Sequence, residues 1–288
     1  MRAVARAKVN LALHVVGRRD DGYHELDTLV TFAELGDVVV ARPNPSGPPV
    51  GMAVEGPFAD ALVASCPSAG DNLVVRAAAG LRTLAERACH DCVPVHITLR
   101  KELPVAAGLG GGSADAAAAI AALSRLWSLP RNLAGREHLV RLIGADGAMC
   151  LSGRPLRARG IGDALALIAM PSWPIVLVNP GAALATPEVF ARAEVARSGP
   201  LPSGGDVKAV LKAGGNDLEP AAKALAPEVG DVLKALATQP GAWLARMSGS
   251  GATCFALFEN TDAAEAAARA ITAARPAWWT RATRTVAS

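Results

Sequence analysis

The run Pro104-Val105-Ala106-Ala107-Gly108-Leu109-Gly110-Gly111-Gly112-Ser113-Ala114-Asp115 packs four glycines into five positions. Without side chains there, a ligand can approach the backbone closely. The alanine-rich run from Asp115 to Trp127 that follows predicts a helix. A glycine-dense loop feeding a helix N-terminus aims several N–H groups and the positive end of the helix dipole at one spot, which is how a phosphate is held. The chain is therefore expected to handle a phosphorylated ligand, a nucleotide first among them. The loop is not a Walker loop, because no Gly-Lys pair occurs. Counted from Gly108, the dinucleotide pattern fails at Ser113. The protein-kinase partners H-R-D and D-F-G are absent.

Four further patterns carry polar groups to unusual places. Lys8 and Asn10 stand two apart in a strand pattern and so share one face. Ala7, Val9, Leu11 and Leu13 around them would bring the Lys8 ammonium near a core. Gly144-Ala145-Asp146-Gly147 sets a carboxylate between a helical pattern and an apolar run, either as a turn former or as a working acid. Met247-Ser248-Gly249-Ser250-Gly251-Ala252-Thr253 is a second glycine turn. Tyr23, the single tyrosine, lies beside His24 in a loop with an Asp21-Gly22 turn signal.

The elements that must position these groups alternate between strand and helix. Val4–Val16 and Leu26–Ala33 read as strands, and Asp37–Arg42 with Val50–Val54 as a hairpin interrupted by Pro43 to Pro49. Asp71 would cap a helix over Asn72–Ala88, Val93–Leu99 is a strand leading to the glycine loop, and Leu133–Ile143 is a helix. Later come a strand at Ile175–Val178, helices at Pro187–Ala196, Val207–Leu211 and Leu218–Leu236 with a break at Pro227, and strands at Trp243–Met247 and Thr253–Phe258. A helix over Asp262–Ala274 and a strand near Trp278–Val286 close the chain. The Ser/Gly/Pro-rich segment Ser198–Gly205 is expected to be mobile. This mixture predicts an α+β protein of two lobes, 1–155 and 156–288, with the boundary between Gly153 and Gly162.

Composition narrows the function. At 51% apolar and 19% charged residues the chain can bury a large core. A net charge of +3 suits an anionic small molecule but is too weak and dispersed for nucleic acid, and 4% aromatics leaves little for base-stacking platforms. No run is long enough for a membrane span, and no secretory h-region follows Met1, so a cytoplasmic place is expected. Five cysteines without framework spacing suggest reduced thiols. Cys89-His90-Asp91-Cys92 lacks a second pair, so no metal site is expected.

Lys-x-Asn near the start, Pro-x-x-x-Gly-Leu-Gly-Gly-Gly-Ser, Gly-Ala-Asp and then Gly-Ser-Gly-Ala, in that order, resemble the galactokinase, homoserine kinase, mevalonate kinase and phosphomevalonate kinase (GHMP) superfamily. Asp20-Asp21-Gly22-Tyr23-His24, Gly70-Asp71-Asn72-Leu73 and Asn216-Asp217-Leu218-Glu219 are similar to its branch acting on a cytidine-diphosphate-linked methylerythritol in non-mevalonate isoprenoid synthesis. The resemblance spans Lys8 to Phe258. It implies a GHMP-kinase-like fold, with an N-terminal lobe like the second domain of ribosomal protein S5 and a ferredoxin-like C-terminal lobe. It implies ATP-dependent phosphorylation of the substrate's 2-hydroxyl with Mg²⁺. Lys8 and Asp146 would be catalytic, and Asn72, Pro104, Ala106, Ala107, Gly108, Leu109, Gly110, Gly111, Gly112 and Ser113 would bind nucleotide. Asn10, Tyr23, His24, Thr186, Phe190, Gly249, Ser250 and Gly251 would bind substrate, Tyr23 and Phe190 as walls around the cytosine. Phe190 reads equally as helix packing and Asn72 equally as a cap. The state implied is a monomer or homodimer. Another GHMP-type kinase, on homoserine, mevalonate or a sugar, and a non-catalytic metabolite sensor are the alternatives. Two departures stand out: Ala114 where the family carries a second hydroxyl, and Gly147-Ala148-Met149-Cys150 where it continues Val-Pro-Phe.

Overall fold

The computed structural model describes the 288-residue chain apart from Pro67, residues 136–138, Arg141, residues 196–197 and the Ala69 side chain. The chain divides into two compact units, each built from three segments. Unit 1 holds Met1–Ala7, Leu35–Val105 and Gly110–Ser152; unit 2 holds Lys8–Glu34, Ala106–Leu109 and Gly153–Ser288. Two long strands that pair with each other, β1 (Arg2–Arg18) and β2 (His24–Pro43), give residues to both.

In unit 1, β3 (Val50–Glu55) runs parallel to β4 (Val95–Arg100), which lies antiparallel to Val38–Pro43 of β2. The expected hairpin of Asp37–Arg42 with Val50–Val54 is therefore absent, because Asp37–Arg42 continues β2 and β4 takes the place between. Burial explains the order. Val95, Ile97 and Leu99 of β4 are fully buried, whereas β3 buries no residue fully and suits an edge. The proline-rich connection from Pro43 to Pro49 lacks the donors and turn chemistry of a tight hairpin.

Two helices cover this sheet segment. After the short α1 (Ala59–Ser65), which buries nothing and had no sequence signal, α2 (Leu73–Arg87) turns Val74, Ala77, Ala78, Leu81 and Ala85 inward. Its N-cap is Asn72, not Asp71: the Asn72 side chain accepts the Val74 N–H at 2.9 Å. Helix α3 (Gly111–Leu126) buries Ala114, Asp115, Ala116–Ala119, Ile120, Ala122 and Leu123. Its small side chains allow close packing on α2 within one apolar core. The helix starts at Gly111 rather than Asp115, since Gly110 takes φ 62° as N-cap and the Ala114 N–H already donates to the Gly110 carbonyl at 2.9 Å. The expected helix Leu133–Ile143 crosses residues 136–138 and 141, outside the described residues. Helix α4 (Gly147–Ser152) follows Asp146 directly.

In unit 2, β5 (Leu156–Gly160) pairs antiparallel with Leu26–Val30 of β2, and β6 (Ala164–Leu167) with β5. These two strands fall where only a boundary was expected. A second sheet has the order β10-β7-β9-β8, from β7 (Pro174–Asn179), β8 (Ala242–Met247), β9 (Cys254–Phe258) and β10 (Trp279–Arg284). Its pairings, β10 with β7, β7 with β9 and β9 with β8, are antiparallel. Short helices α5 (Thr186–Ala191), α6 (Val207–Ala213) and α7 (Glu219–Leu225) precede α8 (Glu228–Ala237), which Pro227 separates from α7 as expected. The expected run Pro187–Ala196 ends on a residue outside those described. With α9 (Thr261–Ala274) between β9 and β10, the order β7-α8-β8-β9-α9-β10 is ferredoxin-like. Its core joins Val176, Val178, Val229, Val232, Leu236, Cys254, Phe258 and Ile271, with Leu13 and Val15 from β1.

Within the segment expected to be mobile, Ser198–Gly205, the part from Ser198 to Pro202 is hydrogen-bonded to distant residues. Arg157 donates to the carbonyls of Leu201 at 2.6 Å and Pro202 at 3.0 Å, and Asp27 accepts the Leu201 N–H at 3.1 Å. Ser198 hydrogen-bonds Asp217, and His14 Nδ1 lies 2.8 Å from the Gly199 carbonyl. The segment's composition could not reveal this, because its partners stand far away in sequence.

Candidate active site

Unit 2 gathers polar groups around the start of the glycine stretch. Lys8, Asn10 and His14 project from one face of β1 and are all buried. The Lys8 backbone N–H donates to the Leu109 carbonyl at 2.9 Å, and the Thr253 N–H to the Ala107 carbonyl at 3.2 Å. Ser248 joins these strands of chain: its hydroxyl accepts the Asn10 N–H at 3.1 Å and donates to the Gly108 carbonyl at 2.9 Å. A Cβ on Gly108 would run into the Ser248 and Gly251 carbonyls, so only glycine fits there. Ala106 holds an exposed left-handed conformation, φ 52°.

The Asn10 amide donates to Thr28 Oγ1 at 2.9 Å, and the Thr28 hydroxyl donates to the Ala12 carbonyl at 2.6 Å. Asn10 Oδ1 is buried with no hydrogen-bond partner among the described residues. It faces the second glycine turn, where a Cβ on Gly249 would stand 3.3 Å from it. In that turn Ser250 is buried and its hydroxyl lies 2.8 Å from Thr186 Oγ1, at the exposed start of α5. On the same helix Phe190 meets the His24 ring, centroids 5.1 Å apart and tilted by 37°. Burial of His24, with Arg18 nearby, lowers its pKa from the usual histidine value. Tyr23 remains 63% exposed. Phe190 is half-buried, packing against the unit 2 core while it meets the His24 ring, so both readings of it remain compatible with its place.

Unit 1 holds the remainder of the stretch. The N–H groups of Gly111, Gly112 and Ser113 open α3 and have no carbonyl one turn earlier in the helix, while no acidic residue sits in its first turn. This is an anion-binding arrangement. Ser113 donates its hydroxyl proton to the Ile143 carbonyl at 2.8 Å, tying the start of α3 to the segment that leads into Gly144 and Asp146. Its lone pairs are thereby left for a cation, which fits a Mg²⁺ carried largely by phosphate oxygens. Asp146 is half-buried in a turn, and its carbonyl accepts the Cys150 N–H at 2.9 Å in α4. Asn72 caps α2 and is buried. Lys8 and Asp146 lie in different units.

Below the α3 terminus lies a cluster that sequence reading missed. Lys101, at the exit of β4, hydrogen-bonds Asp37 and reaches Asp115 at 3.0 Å, with all three side chains buried. A Cβ on Gly111 would come within 3.2 Å of the Lys101 ammonium. Asp37 also accepts the N–H groups of Glu102 at 2.6 Å and Leu103 at 2.8 Å. Desolvation holds the Asp115 carboxyl well above the usual carboxylate range, partly opposed by Lys101 and reinforced by Asp37. Asp37 accepts three hydrogen bonds and Asp115 one, from Lys101. The signal was present: Asp115 is the only charged residue in the run from Gly108 to Leu123, and a charge there needs a buried partner. Thr28 was also missed as a site-forming residue, and although Ser248 and Asn216 stand in motifs singled out in the sequence, only their contacts show what they join.

Comparison with known proteins is consistent along the chain. Residues 72–154 match the GHMP kinases N terminal domain and residues 194–277 the GHMP kinases C terminal family. A 4-diphosphocytidyl-2-C-methyl-D-erythritol kinase of Cereibacter sphaeroides is 48% identical over 99% of both chains. One of Rhizorhabdus wittichii is 47% identical over 96% of this chain and 92% of its own. A crystal structure of 4-(cytidine 5'-diphospho)-2C-methyl-D-erythritol kinase superposes with a TM-score of 0.80 at 35% identity, covering 100% of both chains.

Proposed function

The chain belongs to the 4-diphosphocytidyl-2-C-methyl-D-erythritol kinase family of GHMP kinases, and from that premise we propose how its residues divide the phosphoryl transfer. The protein is a small-molecule kinase. It moves the γ-phosphoryl group of ATP to the 2-hydroxyl of 4-(cytidine 5'-diphospho)-2-C-methyl-D-erythritol, giving the 2-phosphate and ADP in non-mevalonate isoprenoid synthesis. The supporting observation is the Asn10 carboxamide oxygen, a buried acceptor without a donor, set against the second glycine turn. Such a group awaits a donor from a ligand, and a polyol supplies one.

In this reading the segment Pro104–Ser113 cradles the triphosphate, and Asn72 borders the adenine. Mg²⁺, bound with the nucleotide, would draw charge from the phosphate oxygens, and Ser113 would help hold it. Asp146 accepts the hydroxyl proton as the oxygen–phosphorus bond forms and the bond to the ADP oxygen breaks. Lys8 holds the hydroxyl in line. Asn10, Thr186, Gly249, Ser250 and Gly251 orient the substrate, with its cytosine between Tyr23 and Phe190 and its edge read by His24. The 1–155 portion carries nucleotide and chemistry, and 156–288 completes the substrate side. The five cysteines form no disulfide, which supports a reducing, cytoplasmic setting. No helix among the described residues is long and apolar enough to cross a membrane.

An ADP-release assay tests this. The cytidine-diphosphate acceptor is expected to be turned over in preference to homoserine, mevalonate or galactose. Asp146→Asn should lower kcat by about 10²- to 10⁴-fold and spare ATP binding. Lost ATP affinity with kcat intact would remove Asp146 from the chemistry.

A further inference from the structure

Asn216 sits at the centre of unit 2 yet has no role in the reaction as described. Its amide nitrogen donates to two carbonyls of the second glycine turn, Met247 at 2.8 Å and Gly249 at 2.9 Å. These flank Ser248, so both amide protons are used to straddle that one residue. The Asn216 oxygen accepts the Leu218 N–H at 3.0 Å and so is used as well. The backbone around Asn216 is fixed to β1: the Leu13 N–H donates to the Gly215 carbonyl at 2.8 Å and the Asp217 N–H to the Leu13 carbonyl at 2.9 Å. The Asp217 carboxylate accepts the Val15 N–H at 2.9 Å. Asn216 therefore locks the glycine turn to the strand that carries Lys8 and Asn10.

The turn it holds does several things at once. Ser248 grips Asn10 and Gly108, Ser250 meets Thr186, and Gly249 faces the unpartnered Asn10 oxygen. A rotation of the Ser248 peptide groups would disturb all of these together.

We propose that Asn216 is a positioning residue for the phosphoryl acceptor: its carboxamide sets the Met247–Gly251 turn so that Asn10 and Ser250 present correctly to the substrate. The inference rests on the reading above, in which that turn borders the substrate. It requires an amide at this site. A carboxylate of the same shape would aim one oxygen at two carbonyl oxygens, and only its protonated form could donate to one of them.

Asn216→Asp and Asn216→Ser test it, with wild type assayed in parallel on the cytidine-diphosphate acceptor. At about pH 8 the aspartate variant should lose about 100-fold in kcat/KM for the acceptor, as a misplacement of about 1 Å does. Its KM for ATP should stay near the wild-type value. Its deficit relative to wild type should shrink as pH falls toward about 6, because protonation restores one donor. The serine variant, which keeps one donor at every pH, should show a smaller loss without that pH trend, and it carries the test if the aspartate variant does not fold. Wild-type-like acceptor kinetics in both variants would overturn the inference. So would equal rises in both KM values that follow a fall in Tm, which is the mark of a merely structural residue. If wild type itself fails on this acceptor, the functional reading fails instead.

Discussion

A carboxyl group inside an alanine-rich helix needs a reason to be there, and Asp115 has one in Lys101. The ammonium is shared between Asp115 and Asp37, and burial leaves water no part in the exchange. Lys101→Met should therefore cost about 3–5 kcal/mol of stability, because it strands buried carboxyls without their cation. Asp115→Asn should cost far less, as it leaves no unpaired buried charge and burial already favours the neutral form of this group. The pH dependence follows from the raised Asp115 value. The folded chain keeps this proton to higher pH than the unfolded chain. Its contribution is thus full below the unfolded value of about 3.9 and is lost as pH climbs toward the folded one. Asparagine cannot ionise, so the Tm of Asp115→Asn relative to wild type should rise between about pH 4 and about pH 7. A difference that stays flat with pH would mean Asp115 is ionised throughout.

At the scale of elements, Asn72 combines two assignments that substitution can separate. As the N-cap of α2 it needs only its oxygen, which aspartate also offers. Asn72→Asp should keep the melting temperature, whereas Asn72→Ala should lose about 1 kcal/mol. If the amide also reads adenine, both variants weaken ATP binding; if Asn72 is a cap alone, neither does. The same element shows what a sequence makes legible. Leu73 to Arg87 carries its own helical pattern, and α8 and α9 likewise announce themselves within their own residues. What was misread depends on distant partners. Pairing of β3 with β4 is settled by which strand buries its side chains, and Asp37–Arg42 belongs to β2 for the same reason. The start of α3 was hidden because glycine, a poor helix former, builds its first turn. At the site, the glycine stretch and the Lys8–Asn10 face were readable because their spacing is local. The Ser248 and Asn216 contacts were not, since each joins residues over a hundred positions, or some tens, apart.

For the molecule as a whole, the five thiols report on global opening. Cys89 is exposed, while Cys254 is buried and desolvation pushes its thiol far up. Burial also raises Cys92. A thiol reagent at neutral pH should label Cys89 readily and leave Cys254 untouched until the chain unfolds, a contrast that mass spectrometry can follow. Rapid native labelling of Cys254 would mean that unit 2 opens far more easily than its packing suggests. The three-segment make-up of each unit also bears on synthesis at the ribosome. Every residue of unit 1 exists once Ser152 has been joined, whereas unit 2 needs residues 8–34 and the last strand together. Leu13 and Val15 must wait for Val176, Val229 and Leu236 to emerge before they are covered. A nascent chain thus carries a sticky amino-terminal strand through much of its translation, and a gene split after codon 155 would deliver a C-terminal fragment lacking that strand altogether.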